Sequence, residues 1–228
     1  MRFEAPESLS EQIAQYLGLR IIRGDLKPRE RIPEQKIAAE LNVSRGSIRE
    51  ALLLLERRHL IDVLPRRGAV VTSLSPHNVS ALYDVYTGLL TMLMTKVASR
   101  HTSAEIEGLT LCVREINKQS AIESSKLEDL MKIGFELVDQ CCVISKNPYL
   151  QEMIVSLRPA LSRTYYIALS RQEDAIRFTK SFFNELIPAI QQQDATKLNR
   201  IIKSYVEHQK LSVLHILAQI ADDAALLG

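Results

Sequence analysis

The sequence predicts a mainly α-helical chain in two parts: three short helices closed by a two-stranded hairpin, then an all-helical antiparallel bundle. Apolar residues recur at helical spacing through most of the 228 residues. Strand-like pieces occur at one place, Leu60 to Leu64 and Ala69 to Thr72, flanking Pro65-Arg66-Arg67-Gly68. Beyond residue 75 helical periodicity is interrupted only by short polar or proline-bearing connections.

In order along the chain, Leu9, Ile13, Ala14, Tyr16, Leu17, Ile21 and Ile22 share one helical face. Ser8 or Ser10 caps that helix and Gly24 stops it. A turn at Asp25-Leu26-Lys27-Pro28 leads to Pro33, which with Glu34 opens a short helix to Leu41. Asn42-Val43-Ser44 is a tight connection, with Ser44 the N-cap of a third helix to about Arg58. Ile48, Ala51, Leu52 and Leu55 form its apolar face. The hairpin with its basic tip completes a winged helix-turn-helix, residues 7–74. Ser73 to Pro76 reads as a linker. Residues 77–222 then carry about six helices, with breaks at Thr102-Ser103, Ser120 to Ser125, Lys146-Asn147-Pro148, Arg171-Gln172 and Gln193-Asp194. Pro159 and Pro188 fall inside two of them, where kinks are expected.

Composition excludes several classes. Apolar runs such as Ala51 to Leu55 fall far short of the roughly 20 residues that span a bilayer. The segment Met1 to Glu7 has no apolar stretch to act as a signal peptide, so a cytoplasmic location away from membranes is expected. Cys112, Cys141 and Cys142 are odd in number, lack CxxC spacing and lie in apolar stretches, the pattern of buried free thiols. Net charge is +2 overall. Residues 1–75 hold 13 Lys/Arg against 10 Asp/Glu and the rest 16 against 17, a lean toward nucleic acid at the N-terminal end.

The sharpest signal is Asn42 to Glu50. Arg45 and Arg49 are four residues apart and share a face at the start of the third helix. Ser44 and Ser47 flank that edge, and Gly46 permits close backbone approach. Free N–H groups at a helix N-terminus suit phosphate, and an arginine fork matches guanine O6 and N7. A solvated basic edge on an ordinary amphipathic helix has the same spacing. Arg66, Arg67 and Gly68 add cations at the hairpin tip, where a wing reaches a minor groove. Groove contact requires both helix guanidinium groups to face outward, without acidic partners on the same chain.

With these residues stand Ser10-Glu11-Gln12-Ile13-Ala14, Ile22-Arg23-Gly24-Asp25-Leu26-Lys27-Pro28, Arg31-Ile32-Pro33-Glu34-Gln35, Leu41-Asn42-Val43-Ser44-Arg45 and Ile48-Arg49-Glu50-Ala51-Leu52. Together they resemble the GntR family of bacterial transcription regulators, nearly continuously over residues 8–74. The resemblance implies that Gln35, Ser44, Arg45, Gly46, Ser47, Arg49, Arg67 and Gly68 lie at a double-stranded operator DNA interface. Two positions depart from the family: Arg29 replaces a glycine after Lys-Pro, and His59 replaces one before Leu60. His59 is expected to be a turn residue and no pH switch.

The remainder is similar to the FadR-type branch, through Leu82-Tyr83-Asp84-Val85, Ser145-Lys146-Asn147-Pro148-Tyr149-Leu150 and Ala189-Ile190 followed by Asp194. That likeness implies an effector-binding and dimerisation (FCD) domain of six or seven helices. Many members hold a divalent metal there with one aspartate and three histidines. Here the first histidine position falls on Val138 or Glu136, the aspartate on Gly134 or Lys132, and the other histidines on Phe183 and Tyr205. Tyr86 and Leu90 replace a common arginine and glutamate on the first bundle helix. No metal and no other cofactor is therefore expected. His208 is expected to be a surface or satisfied histidine rather than a ligand.

An effector cavity would be lined by Tyr86, Leu90, Phe183 and Tyr205, apolar with two phenols, and would suit an aromatic or acyl effector better than a small citrate-like acid, although the same residues equally suit a filled bundle core. The overall expectation is a homodimeric, non-enzymatic repressor that binds operator DNA and answers to a small-molecule effector, an organic or acyl acid. An architectural DNA binder without ligand and a DNA-tethered all-α enzyme are the alternatives.

Overall fold

The computed structural model of the chain describes residues 8–118, 124–171 and 173–226. The expected break at Ser120 to Ser125, the Met1 to Glu7 segment and Gln172 lie wholly or mostly outside them. Contacts divide the chain into two units, residues 1–74 with 156–163, and residues 75–155 with 164–228.

In the first unit, α1 (Leu9–Arg23) starts where Ser8 accepts a hydrogen bond from the Glu11 N–H at 3.2 Å. It ends at Gly24, whose φ of 84° is the left-handed turn that glycine adopts without strain. α2 (Glu34–Leu41) ends at Asn42, φ 53°. α3 (Arg45–Arg57) is capped by Ser44, whose Oγ accepts from the Ser47 N–H at 3.0 Å. Losing such a cap costs about 1 kcal/mol.

Ala14, Leu17 and Ile21 of α1 meet Ile48, Ala51 and Leu55 of α3 in a continuous core. Full burial of each large aliphatic side chain stabilises by roughly 1.5–3 kcal/mol. A methyl at Gly18 would touch Leu55 and Leu60 at 3.5 Å, so this residue sets how closely α1 lies on its neighbours.

β1 (Ile61–Leu64) pairs antiparallel with β2 (Gly68–Val71) from Ile61↔Val71 to Leu64↔Gly68. The structure adds a third edge that local pattern did not reveal. Arg31 bridges Val70, the Arg29 N–H donates to the Val71 carbonyl at 2.9 Å, and the Ile32 N–H donates to the Ala69 carbonyl at 2.9 Å. Arg29 (φ 65°) and His59 (φ 57°) both adopt left-handed backbone, the geometric reason a glycine suits either place. His59 sits in the turn between α3 and β1, as expected. Arg163, 3% exposed, donates from Nη1 to the Thr72 carbonyl at 3.0 Å and to its Oγ1 at 2.9 Å.

The second unit is built from α4 (Pro76–Arg100), α5 (Ser103–Lys118), α6 (Ser124–Ser145), part of α7 (Pro148–Arg171), α8 (Glu173–Gln191) and α9 (Ala195–Leu226). Among the described residues it is wholly helical, and α7 and α8 continue through Pro159 and Pro188. α4 packs on α9, α6 and α8, and α5 packs on α6 and α8. The buried Tyr83 of α4 donates to Thr164 Oγ1 at 3.0 Å, tying α4 to α7 within the core. No helix of the described residues is long and apolar enough to cross a membrane.

Candidate nucleic-acid interface and ligand cavity

Two places carry chemistry. The first is the outward edge of α3. Ser44, Arg45, Gly46 and Arg49 are exposed, Ser47 is half-buried behind them, and Gln35 is exposed on the first turn of α2. The Ser44 and Ser47 hydroxyls lie 2.9 Å apart, while Ile48 and Leu52 turn into the core beneath. At the hairpin tip Arg66 and Arg67 are exposed, and Gly68 has φ 74°.

The expectation of unpaired guanidinium groups does not hold. Arg49 donates from Nε to Glu34 Oε2 at 2.9 Å, and Arg45 Nη2 lies 4.0 Å from the same oxygen. The side chains nevertheless face solvent, 59% exposed for Arg45 and 63% for Arg49. An ion pair this exposed contributes about 0–1 kcal/mol, so releasing these arginines to another anion costs little. Local pattern missed Glu34 because the contact bridges α2 to α3, 15 residues apart.

It also missed two cations. The edge formed by residues 29–32 places Arg29 and Arg31 around the same cleft as Arg66 and Arg67, with Asp62 the acidic member of its lining. Four guanidinium groups on one concave face suit a phosphate backbone. The only local sign was the charged alternation Arg29-Glu30-Arg31.

The second place is a cavity of about 40 Å³ inside the helical unit. Tyr86, Leu90, Phe183 and Tyr205, named from sequence, all line it. So do Gly134 and Val138, whereas Lys132 and Glu136 are exposed and 3.9 Å from one another. The structure thus selects the first of the two registers for the family's metal positions, which here hold Gly134, Val138, Phe183 and Tyr205. A glycine, a valine and a phenylalanine offer no donor atom, so this set does not fit a divalent cation. Among the described residues no group of three His, Cys, Asp or Glu side chains is placed to hold a metal elsewhere.

The cavity wall is aromatic. Phe182 stacks on Tyr205 with centroids 4.0 Å apart, and Phe135 lies 6.0 Å from Tyr165. Burial pushes the Tyr205 phenol up to about 12, against hydrogen bonding to Thr179, Tyr165 and Gln209. Burial raises Tyr83 and Tyr165 as well. Gln209, fully buried, donates from Nε2 to Thr179 Oγ1 at 3.1 Å, and its Oε1 has no partner.

His208 stacks on Phe178 with centroids 3.9 Å apart, and burial lowers its pKa. It is half-buried and its Nδ1 lacks a hydrogen-bond partner, so it is a packed ring, neither the surface nor the satisfied histidine expected. All three cysteines are free. Cys141 and Cys142 are buried, while Cys112 is only half-buried and accepts from Gln140 at 3.2 Å. Burial raises the Cys141 and Cys112 thiols, which suppresses the nucleophilic thiolate.

Residues 9–71 match the model of the bacterial regulatory proteins of the gntR family, and residues 81–208 match that of the FCD domain. The gluconate operon transcriptional repressor of Bacillus subtilis is 31% identical over 68% of this chain and 62% of that protein. The transcriptional repressor RspR of Escherichia coli is 20% identical over 95% and 93%. Among solved structures, E. coli McbR/YncC superposes with a TM-score of 0.74 at 18% identity, covering 92% of this chain and 99% of that one. A GntR regulator from Rhodococcus sp. RHA1 gives 0.69 at 18% identity, with 92% and 99% covered. The two structural likenesses speak for the fold, and the two family models together cover the winged unit and most of the bundle. The chain belongs to the GntR family of DNA-binding transcription regulators, in the branch that carries an FCD domain.

Proposed function

We propose that the chain acts in the cytoplasm as a homodimeric repressor that grips a palindromic operator and releases it in response to a small molecule. The observation that carries this is the exposed, Ser44-capped start of α3 with Arg45 and Arg49 on its outer edge. Arg45 and Arg49 read base edges in the major groove. The α3 N-terminus, Gln35, Ser44, Gly46 and Ser47 approach the adjoining backbone, and Arg67 with Gly68 enters the neighbouring minor groove. Two copies related by a twofold axis fix the half-site spacing. An effector in the cavity at Tyr86, Leu90, Phe183 and Tyr205 acts through its differential affinity for the DNA-competent and DNA-incompetent states.

No step of this scheme is catalytic, and the raised Cys141 and Cys112 thiols fit that role. Footprinting of the full chain on the DNA upstream of its own gene tests the proposal. Protection of an inverted repeat with about one helical turn between half-sites is the expected result. Uniform, sequence-independent protection favours the architectural alternative.

A further inference from the structure

We propose that this cavity has exchanged the metal-and-carboxylate chemistry of its branch for an uncharged ring compound carrying one hydrogen-bonding group. This rests on the effector reading above and names the ligand class for the same site.

Charge complementarity disfavours an acid. Among the described residues the lining contains no lysine, arginine or histidine, so a carboxylate would enter without a counter-ion from them. Burial raises the phenols of Tyr165 and Tyr205 in the lining, in keeping with surroundings that penalise negative charge. The four positions where a metal would be held carry no ligating set, so no cation can stand in for the missing base. The proposal departs here from the expectation of an organic or acyl acid.

Shape and polarity specify what remains. Three phenyl rings line the cavity, Phe135, Phe182 and Phe183, and the last two meet edge to face at 64°. Among these rings stand the hydroxyl-bearing Tyr86, Tyr165, Thr179 and Tyr205, with Tyr205 stacked on Phe182 and the Gln209 amide bonded to Thr179. The unpaired Oε1 of that amide leaves one acceptor wanting a donor in this polar cluster.

At about 40 Å³ the cavity holds roughly three waters at ~10–15 Å³ each, less than a benzene ring requires. A ligand must therefore widen it, and the unbranched Met94 and Met131 in the wall are the side chains that yield most easily. Gly134 faces the Phe183 ring, 3.5 Å from where a Cβ would stand, so any side chain there larger than a methyl fills the ring site.

The test is titration calorimetry and saturation-transfer NMR on the full-length protein with matched pairs: benzamide against benzoate, and 2-phenylethanol against phenylacetate. The uncharged member should bind at least about tenfold more tightly in each pair. Gly134→Leu should abolish that binding. Tyr205→Phe, which keeps the ring stack, should weaken benzamide about fivefold and leave toluene unchanged, so the outcome does not hinge on one variant folding. Preference for the carboxylates, lost in Gly134→Leu, overturns the ligand class while leaving an effector site in place. Absence of saturable binding by every probe, charged or uncharged, overturns both the ligand class and the cavity's role as effector site.

Discussion

Arg49 hands its Nε–H to Glu34 Oε2 at 2.9 Å, and Arg45 approaches the same oxygen at 4.0 Å, so one carboxylate on α2 faces both arginines at the head of α3. The contact occupies Nε of Arg49 and spares the terminal nitrogens that would form a fork on guanine. In the proposed complex Glu34 also brings negative charge toward the DNA. Glu34→Gln should therefore tighten binding to random-sequence duplex about two- to fivefold, more than it tightens operator binding, and narrow the specificity ratio. Fluorescence anisotropy against both duplexes at one fixed salt concentration measures this. Equal affinities for wild type and variant would show that the carboxylate neither orients nor opposes these arginines.

The cleft beneath the wing carries Arg29 and Arg31 beside Arg66 and Arg67. In the proposed complex Arg29 and Arg31 meet the phosphate backbone, a sequence-blind and salt-sensitive contact. Arg31→Ala should weaken operator and random duplex by the same factor and flatten the log–log salt dependence by about 0.9 for each phosphate left without its cation. A change confined to the operator would mean that Arg31 reads bases instead.

His59 is held at φ 57°, where an L-residue pays roughly 1–2 kcal/mol of steric cost. Glycine relieves that cost but is freer in the unfolded chain, which offsets part of the gain. His59→Gly should raise Tm by a few degrees in differential scanning calorimetry without altering DNA affinity. A lower Tm would place the histidine in a stabilising contact beyond its backbone.

Tyr205 titrates near 12 in the folded protein, above the usual tyrosine value near 10. A pKa raised by folding gives stability that is complete below pH 10 and is lost as pH climbs through 12. Urea denaturation from pH 8 to 11 should show a plateau and then a fall. Tyr205→Phe should remove about one proton from that slope, or ~1.4 kcal/mol per pH unit. An unchanged slope would mean that the phenol ionises as readily in the folded chain as in the unfolded one.

Local grammar explains how much of the fold could be read ahead. Ser8, Gly24 and Ser44 act on atoms within four residues, so the ends of α1 and the start of α3 fall where capping rules put them. The helix breaks after Arg100, Ser145 and Gln191 are equally local. Three features depend on residues distant in sequence and were not legible. The strand-like edge at 29–32 exists only through its bonds to β2. Glu34 reaches α3 across the α2–α3 turn. Gln209 meets Thr179 across two bundle helices. The positions around the cavity were legible through family spacing, which left two registers for α6, and side-chain direction settled the choice on Gly134 and Val138.

The proposed function rests on α3 reading base edges. Arg45→Ala and Arg49→Ala, measured by anisotropy on the footprinted operator and on a scrambled duplex of equal length, test that directly. Each substitution should cost roughly 1–3 kcal/mol on the operator and much less on the scrambled duplex, so that specificity collapses toward unity. Operator affinity unchanged in both variants, with their folds intact by circular dichroism, would contradict it.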